Sequence, residues 1–332
     1  RRDFMATSVI SLLQAAIIFG TVIMFGAIGE IIAEKSGSLN LGVPGIMYLG
    51  GIAGLTGVFF YENSADSPNK ILCVIIALIC AFAASVLGGL IYSFLTITLR
   101  ANQNVTGLTL TIFGSGVANF FGGSLNKLAG GVGQISVAAT SSAFRMNIPV
   151  ISKWGIVGKI FFSYGFLVYA AIIIAVLASR FLSKTHRGLN LRAVGENPAT
   201  ADAAGINVIL YKYMATCIGA GISGLGGLFY VMDYTKGTWA NDGTIESLGW
   251  LALALVIFAV WRPVNTIWGS YLFGVLYWIY FYISGLTRSS QELCKMVPYV
   301  VTIIVLIVTS IRNKRENQPP ASLGLAYFRE ER

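Results

Sequence analysis

One serine stands in a pattern that could support catalysis inside a membrane. The segment GISG at 221–224 places the hydroxyl of Ser223 among small residues, where it could act as a nucleophile. Such a serine requires a neighbouring base, and the only histidine, His186, falls in a hydrophilic segment. Gly219, Ser223 and Gly227 are spaced at i, i+4 and i+8, which is typical of close helix packing. We therefore expect packing here, and we predict no catalytic residue in the chain.

The other reactive groups show no arrangement suited to metal binding or ion coupling. The four cysteines lack metal-ligand spacing and are expected to pack in apolar runs. Ion-driven transport usually places a charge deep in the membrane, whereas Glu30, Lys212 and Glu246 fall near the ends of apolar runs. The polar residues within the runs are neutral, which suits a neutral, hydroxyl-rich solute moved by energy supplied from elsewhere. These residues are Asn40, Asn102, Gln103, Asn104, Thr106, Thr109, Thr111, Ser115, Asn119 and Asn126.

Membrane-spanning helices are the elements that must position these residues. Of 332 residues, 55% are hydrophobic and 11% are charged, and the mean hydropathy is +0.73, whereas soluble domains carry roughly 25% charged residues. Backbone polar groups in lipid must be satisfied internally, so we predict an all-α integral membrane protein. We expect a polytopic bundle of about nine spans of roughly 20 residues each, with eight or ten as alternatives. The uncharged runs are 4–29, 36–61, 71–99, 101–126, 160–179, 213–232, 247–261, 263–287 and 296–311.

The basic residues predict the orientation of a single transmembrane domain covering 1–332. The net charge of +9 could suggest nucleic-acid binding, but Lys and Arg sit mainly at span ends, which favours a lipid bilayer as partner and no nucleic acid. Arg312, Lys314 and Arg315 follow the last run and predict a cytoplasmic C-terminus, so an odd number of spans leaves the N-terminus outside. With no cleavable signal pattern, the first span is expected to direct membrane insertion. The long hydrophilic segments then form an external loop at 127–159, a cytoplasmic loop at 180–206 and a cytoplasmic tail at 312–332.

A short surface helix is predicted within the cytoplasmic loop. Asn197 and Pro198 are a helix-start signal, with Asn as N-cap and Pro at the first helical position. Residues 199–204 favour helix, and Gly205 is a candidate C-cap.

The second span is predicted to be broken or to begin late, because Gly42, Pro44 and Gly45 fall within about one turn. The alternative is that Pro44 marks the first turn of an ordinary span. Spans one and two also share a pattern with spans six and seven, in which a Gly-rich helix, a short polar turn and a second apolar helix follow one another. Such a pattern, offset by five spans, is compatible with an inverted repeat.

Four stretches of sequence resemble the permeases of ABC importers for branched-chain amino acids, simple sugars and nucleosides. They are GEIIAEKSGSLNLGVPGIMYLGG at 29–51, LRANQNVTGLTLTIFG at 99–114, GLNLRAVGENPATADAAGI at 188–206 and GWLALALVIFAVWRPVNTIWGSYLFG at 249–274. The first two are most similar to a permease of nucleoside importers. Lys35 stands where Arg is common and Pro44 where Glu is common, so no role of that glutamate carries over. The resemblance implies a second, paralogous permease subunit, ABC ATPase subunits that bind ATP and magnesium, and an external substrate-binding lipoprotein, in a bacterial cytoplasmic membrane. The permease itself would need no cofactor.

Two groups of residues have predicted roles, the first implied by the resemblance and the second by the chemistry of the side chains. The helix of the cytoplasmic loop would sit in a groove of the ATPase, and the alternative is a solvated connecting loop. Amide and hydroxyl groups would line the solute path and match a nucleobase edge or sugar hydroxyls; interhelical hydrogen bonding is the alternative. Phe113 could stack on a base or simply pack. The predicted coupling residues are Gly195, Glu196, Asn197, Pro198, Ala201 and Ala204, and the predicted path residues are Asn40, Asn102, Gln103, Asn104, Thr106 and Phe113.

The predicted function is the translocation path of an ATP-driven nucleoside importer. Simple sugars and branched-chain amino acids are the competing solutes, and amino acids rank last because their two charges would need partners in the path. A stand-alone facilitator or channel is the alternative from another class.

Overall fold

Helices make up the regular structure of the described part of the chain. The computed structural model describes residues 2–65, 67–128, 135–146, 158, 160–283, 285, 287–312 and 318–328. Short π-helical turns at Phe94–Thr98 and Tyr230–Tyr234 continue the helices that end at Ser93 and Phe229, and a 3-10 turn at Ile279–Tyr282 follows the helix that ends at Trp278. The helices are α1 (Arg2–Glu34), α2 (Val43–Ser64), α3 (Lys70–Ser93), α4 (Gln103–Leu128), α5 (Ala138–Phe144), α6 (Phe166–Lys184), α7 (His186–Glu196), α8 (Pro198–Ala203), α9 (Val208–Phe229), α10 (Thr244–Phe258), α11 (Pro263–Trp278), α12 (Arg288–Lys295) and α13 (Val297–Arg312).

Within the described residues, seven helical segments are long and apolar enough to cross a membrane. A shorter apolar helix, α10, has 15 residues, and α11 has 16. These two helices occupy the predicted runs 247–261 and 263–287 and form a hairpin whose turn lies beside Glu34, to which Trp261 donates a hydrogen bond. The prediction of a polytopic helical membrane protein is confirmed. The seven segments are Val9–Glu34, Val43–Ser64, Lys70–Thr98, Gln103–Leu125, Phe166–Lys184, Val208–Tyr234 and Arg288–Val308.

The centre of the bundle is an antiparallel contact between α1 and α9. A Cβ atom added to Gly29 would lie less than 3.0 Å from the carbonyl oxygen of Gly219. A Cβ atom added to Gly219 would likewise lie less than 3.0 Å from the carbonyl oxygen of Gly29. Ser223 donates a hydrogen bond of 3.2 Å to the carbonyl of Gly26, and Gly227 approaches the backbone of α2 at Met47. The predicted packing role of the small residues on α9 is confirmed.

The helix contacts have the pattern expected of an inverted repeat. Helix α9 packs against α2 and α3, while α1 packs against α10 and α11. Helices α1 and α9 contact each other, as do α2 and α10. Exchanging the first three helices with α9–α11 leaves these six contacts unchanged, although α2 packs much more extensively on α3 than α10 does on α11.

The predicted break in the second span lies before the helix rather than within it. Helix α2 runs without interruption from Val43 to Ser64, with Pro44 in its first turn. Proline is tolerated there because the first N–H groups of a helix have no intrahelical acceptor. The prediction of a break inside the span is thus wrong, and Pro44 instead marks the first turn of an ordinary span.

Two clusters of connecting segments mark the opposite ends of the bundle. At the α5 end, Glu62 accepts hydrogen bonds from the backbone of Ala139 and Thr140, and Ser141 donates to the carbonyl of Met232. At the α7–α8 end lie the segments 35–42, 185–207, 259–262 and 318–328. Of the predicted external loop, residues 129–134, 147–157 and 159 lie outside the described residues.

Candidate functional site

The segment 35–42 is a buried non-helical link between α1 and α2. Its backbone is held by side chains from three helices: the N–H of Leu39 donates to Oε1 of Gln103 at 2.7 Å, and the N–H of Asn40 donates to Oε1 of Glu30 at 2.9 Å. The hydroxyl of Tyr92 donates to the carbonyl of Leu39 at 2.6 Å. Buried backbone groups require such partners, so this polar motif fixes the ends of α1, α3 and α4 relative to one another.

Three predicted path residues are buried and hydrogen-bonded within the chain. Besides holding Leu39, Gln103 donates to the carbonyl of Leu325 at 3.4 Å. Asn40 accepts from the N–H of Gly42 at 2.9 Å, and the hydroxyl of Thr106 donates to the carbonyl of Asn102 at 2.8 Å. The bonds of Gln103 join separate segments, as in the interhelical alternative, whereas those of Asn40 and Thr106 are local. Contact of these residues with solute stays a prediction.

The other three predicted path residues, Asn102, Asn104 and Phe113, are exposed on or just before α4. Asn102 caps the helix by accepting from the N–H of Val105 at 3.1 Å. Further along the exposed surface, Cβ atoms added at Gly116 or Gly123 would have nothing within 4 Å.

Neutral polar side chains share this exposed surface with aromatic rings. Thr109 and Asn119 are exposed, as are Phe113 and Phe120. The span Gln103–Leu125 contains no charged residue. Polar groups at membrane depth face protein or a water-filled path rather than lipid. We call this surface of α4 the polar face, defined by Asn104, Thr109, Phe113, Gly116, Asn119, Phe120 and Gly123. The apolar side chains of Val105, Leu108 and Ile112 are exposed between these residues.

The predicted surface helix is present as α8. The side chain of Asn197 accepts from the N–H of Thr200 at 3.0 Å, and Pro198 is the first helical residue. Gly205 has a φ of +82°, and the N–H of Ile206 returns to the carbonyl of Ala201 at 3.0 Å, as in a glycine-terminated helix. The sequence analysis missed the preceding helix α7. The sequence signal that could have indicated the start of α7 is Thr185, whose hydroxyl caps the helix by accepting a hydrogen bond from the N–H of Gly188.

Only part of the predicted coupling set is exposed. Glu196, Asn197 and Ala204 are exposed and Pro198 is half-buried. Ala201 is buried against Val194 and Val208 of the same chain, so Ala204 is the alanine that a partner can reach. Gly195 is also buried, with its Cα against the carbonyl of Lys35.

Charged groups connect this unit to the end of α1. Burial and the neighbouring guanidinium of Arg192 lower the pKa of Lys35, against the opposing effect of the Glu196 and Glu34 carboxylates. Lys35, Glu196 and Arg192 therefore lie close enough to interact electrostatically.

The tail residues 318–328 bind the same unit, a contact that the sequence analysis did not predict. The N–H of Ser322 donates to the carbonyl of Gly195 at 3.1 Å, and that of Gly324 donates to the carbonyl of Gly37 at 3.2 Å. The hydroxyl of Tyr327 donates to Asp202 at 2.8 Å. The guanidinium of Arg100 stacks on the ring of Phe328 at 4.5 Å.

Charged side chains inside the bundle lie toward its ends. Glu30 and Lys212 are 2% and 3% exposed, within about a turn of the ends of their helices. Asp233 is also buried, near the α5 end; the sequence analysis missed it because it closes an otherwise apolar run. In the described part of the chain, no cluster of three His, Cys, Asp or Glu residues could hold a metal ion.

Relatives similar over most of the chain are named as ABC transporter permeases. The nucleoside ABC transporter permease protein NupC of Lactococcus lactis is 32% identical over 87% of this chain and 89% of its own. The guanosine ABC transporter permease protein NupQ of Bacillus subtilis is 29% identical over 89% of this chain and 90% of its own. The putative glucose ABC transporter permease protein TsgC13 of Haloferax volcanii is 30% identical over 96% of this chain and 98% of its own.

No solved structure is significantly similar to the chain. A family described as "Branched-chain amino acid transport system / permease component" matches residues 12–306. Since this match spans most of the sequence, the chain belongs to that family and is a multi-pass membrane permease of the ABC transporter type.

Proposed function

We propose that the chain forms the translocation path for nucleosides in an ATP-driven importer. The observation that carries this proposal is the polar face of α4. It combines uncharged donors and acceptors with exposed aromatic rings, and a nucleoside offers the matching groups, a stacking base and hydroxyl-bearing sugar. Two relatives are named for nucleoside or guanosine transport, which supports the same solute class.

The proposal places a second, paralogous permease against the polar face, so that the path lies between two subunits. The open space beside Gly116 and Gly123 leaves room for a solute or a neighbouring helix. ATP and magnesium would be bound by partner ATPases, and an external lipoprotein would deliver the solute. The relatives named NupC and NupB, both from Lactococcus lactis, support a pair of related permeases.

The test of the solute is competition uptake in cells that express the whole transporter. Labelled guanosine uptake should be inhibited by adenosine and unaffected by ribose, glucose or leucine. Inhibition by glucose or leucine but not by nucleosides would contradict the proposed solute class, while the assignment of the chain as a permease would still hold. Cells that lack the ATPase partner are the control, because ATP-independent uptake would indicate a facilitator instead.

We further propose that α7 and α8 form the contact with the ATPase and that the α7–α8 end is cytoplasmic, with the C-terminus inside and the N-terminus outside. Exposed Glu196, Asn197 and Ala204 lie on the protruding side of a unit that contacts α1 through Gly195. Replacing Glu196, Asn197 and Pro198 by Gly should uncouple transport from ATP hydrolysis without preventing membrane insertion. Normal coupled uptake would refute the contact.

Orientation is tested by labelling from each side of the membrane. Ala199→Cys at the α7–α8 end and Ser142→Cys at the α5 end both introduce an exposed thiol. In intact cells, an impermeant reagent should label the second variant only. Labelling of the first alone would reverse the proposed orientation.

A further inference from the structure

A cavity of about 490 Å³ lies at the α7–α8 end, next to the first turns of α9. Its walls come from the π-helical end of α3, the start of α4, the segment between α8 and α9, and the tail at 325–327. Apart from Gln103, none of the predicted path or coupling residues lines it. The cavity is therefore distinct from the polar face of α4 and from the exposed surface of α8.

Lys212 gives this cavity a positive charge without a counterion. The residue lies about one turn inside α9, lines the cavity and is 3% exposed. Within the described residues, its ammonium group has neither a hydrogen-bond acceptor nor a carboxylate partner. Lysine is almost never fully buried unless it is paired, so this arrangement favours an anion that the described residues do not supply.

The start of α9 adds hydrogen-bond donors to the same wall. Asn207 uses its side chain to cap the N–H of Leu210 at 3.0 Å, whereas the N–H groups of Val208 and Ile209 have no acceptor among the described residues. Both of these residues line the cavity. Free N–H groups and the positive end of a 22-residue helix favour a bound anion.

With the other charged groups included, the net charge of the described cavity walls stays positive. Arg100 contributes a second cation, although its guanidinium also stacks on Phe328. Asp202 is the one carboxylate among the described lining residues, and it accepts a hydrogen bond from the hydroxyl of Tyr327 at 2.8 Å. A bound anion would therefore sit toward Lys212 and away from Asp202.

We propose that the cavity binds a phosphate group, with Lys212 as its counterion and the first N–H groups of α9 as donors. An anionic phospholipid headgroup and a soluble phosphate present this same group. Exposed apolar side chains adjoin the cavity at Leu99, Ile209 and Leu210, where acyl chains could continue from a headgroup. The proposal does not depend on which solute the permease transports.

The test measures binding to the full chain, purified in detergent without phosphate. Phosphatidylglycerol and inorganic phosphate are titrated separately while native mass spectra and unfolding temperatures are recorded, with phosphatidylcholine and chloride as references. One of the two anions should bind and raise the unfolding temperature. A response to phosphatidylglycerol alone identifies a lipid site, and a response to inorganic phosphate identifies a soluble ligand.

Lys212→Met should weaken that binding by about tenfold or more, because a charge-assisted hydrogen bond is lost. The variant should remain folded since methionine fills the same apolar surroundings without a buried charge. Lys212→Arg should retain binding. Lys184→Met, which removes an exposed charge from the same end of the bundle, is the matched control. Equal binding to wild type and Lys212→Met, or no preference for either anion over its reference, would overturn the proposal.

Discussion

Helices α9 and α4 are both rich in glycine, yet their glycines serve opposite purposes. Of the most apolar 18 residues in each span, 78% are buried for Val208–Tyr234 and 33% for Gln103–Leu125. Gly219 on α9 meets the backbone of α1, whereas Gly116 on α4 has nothing within 4 Å of an added Cβ. The comparison teaches that a small residue in a span can either bring two backbones together or keep a surface open. The spacing of glycines alone does not distinguish these cases.

The largest expected effect comes from filling the α1–α9 contact. In Gly219→Val, the new side chain would collide with the carbonyl of Gly29, and neither backbone can move aside without disturbing its helix. We expect a loss of about 3 kcal/mol or more, seen as loss of folded protein in thermal unfolding and size-exclusion measurements. Gly123→Val on α4 is the matched control and should stay within about 0.5 kcal/mol of wild type. Equal stability of the two variants would remove the distinction between the helices.

The next effect is on transport rather than on stability. Gly116→Leu places a side chain in the open space beside the polar face, so uptake should fall by about tenfold, equivalent to ~1.4 kcal/mol, while the unfolding temperature stays unchanged. Ala83→Leu adds a similar side chain to an exposed position on α3 and should leave uptake intact. Unaltered uptake in Gly116→Leu would show that this face does not line the path.

A third effect, again on stability and smaller than that at the α1–α9 contact, separates two adjacent residues at the start of α4. Gln103→Leu leaves the N–H of Leu39 without its acceptor, which should cost about 1–3 kcal/mol. Asn104→Leu changes an exposed side chain and should cost under about 0.5 kcal/mol. Thermal unfolding of both variants gives the comparison. A greater loss of stability in Asn104→Leu than in Gln103→Leu would mean that the buried and exposed positions of the two side chains have been assigned the wrong way round.

The sequence predicted the elements whose signals are local. Hydropathy located the spans, because crossing lipid requires long apolar helices. The pair Asn197 and Pro198 identified the start of α8, because capping involves only neighbouring residues. Helix α7 was missed because its segment, HRGLNLRAVGE, is hydrophilic and has neither an apolar face nor a strong start signal.

The sequence could not determine which way each polar side chain faces. Gln103 and Asn104 are adjacent amides, about 100° apart around the helix, and only the rotation of α4 in the bundle makes one buried and the other exposed. The tail was equally unpredictable, since Ser322 and Gly324 bind backbone carbonyls, which every residue possesses. The path and coupling roles remain predictions because they concern partners and solute outside this chain.

The glycine contact between α1 and α9 also limits how the molecule can move. Sliding α9 by one helical turn along α1 would bring Ala215 or Ser223 to the position of Gly219, opposite the carbonyl of Gly29. Either side chain would need room that the two touching backbones do not leave. Sliding of the two helices past each other is therefore opposed in both directions as long as their backbones stay in contact, so a one-turn shift would require α1 and α9 to move apart first.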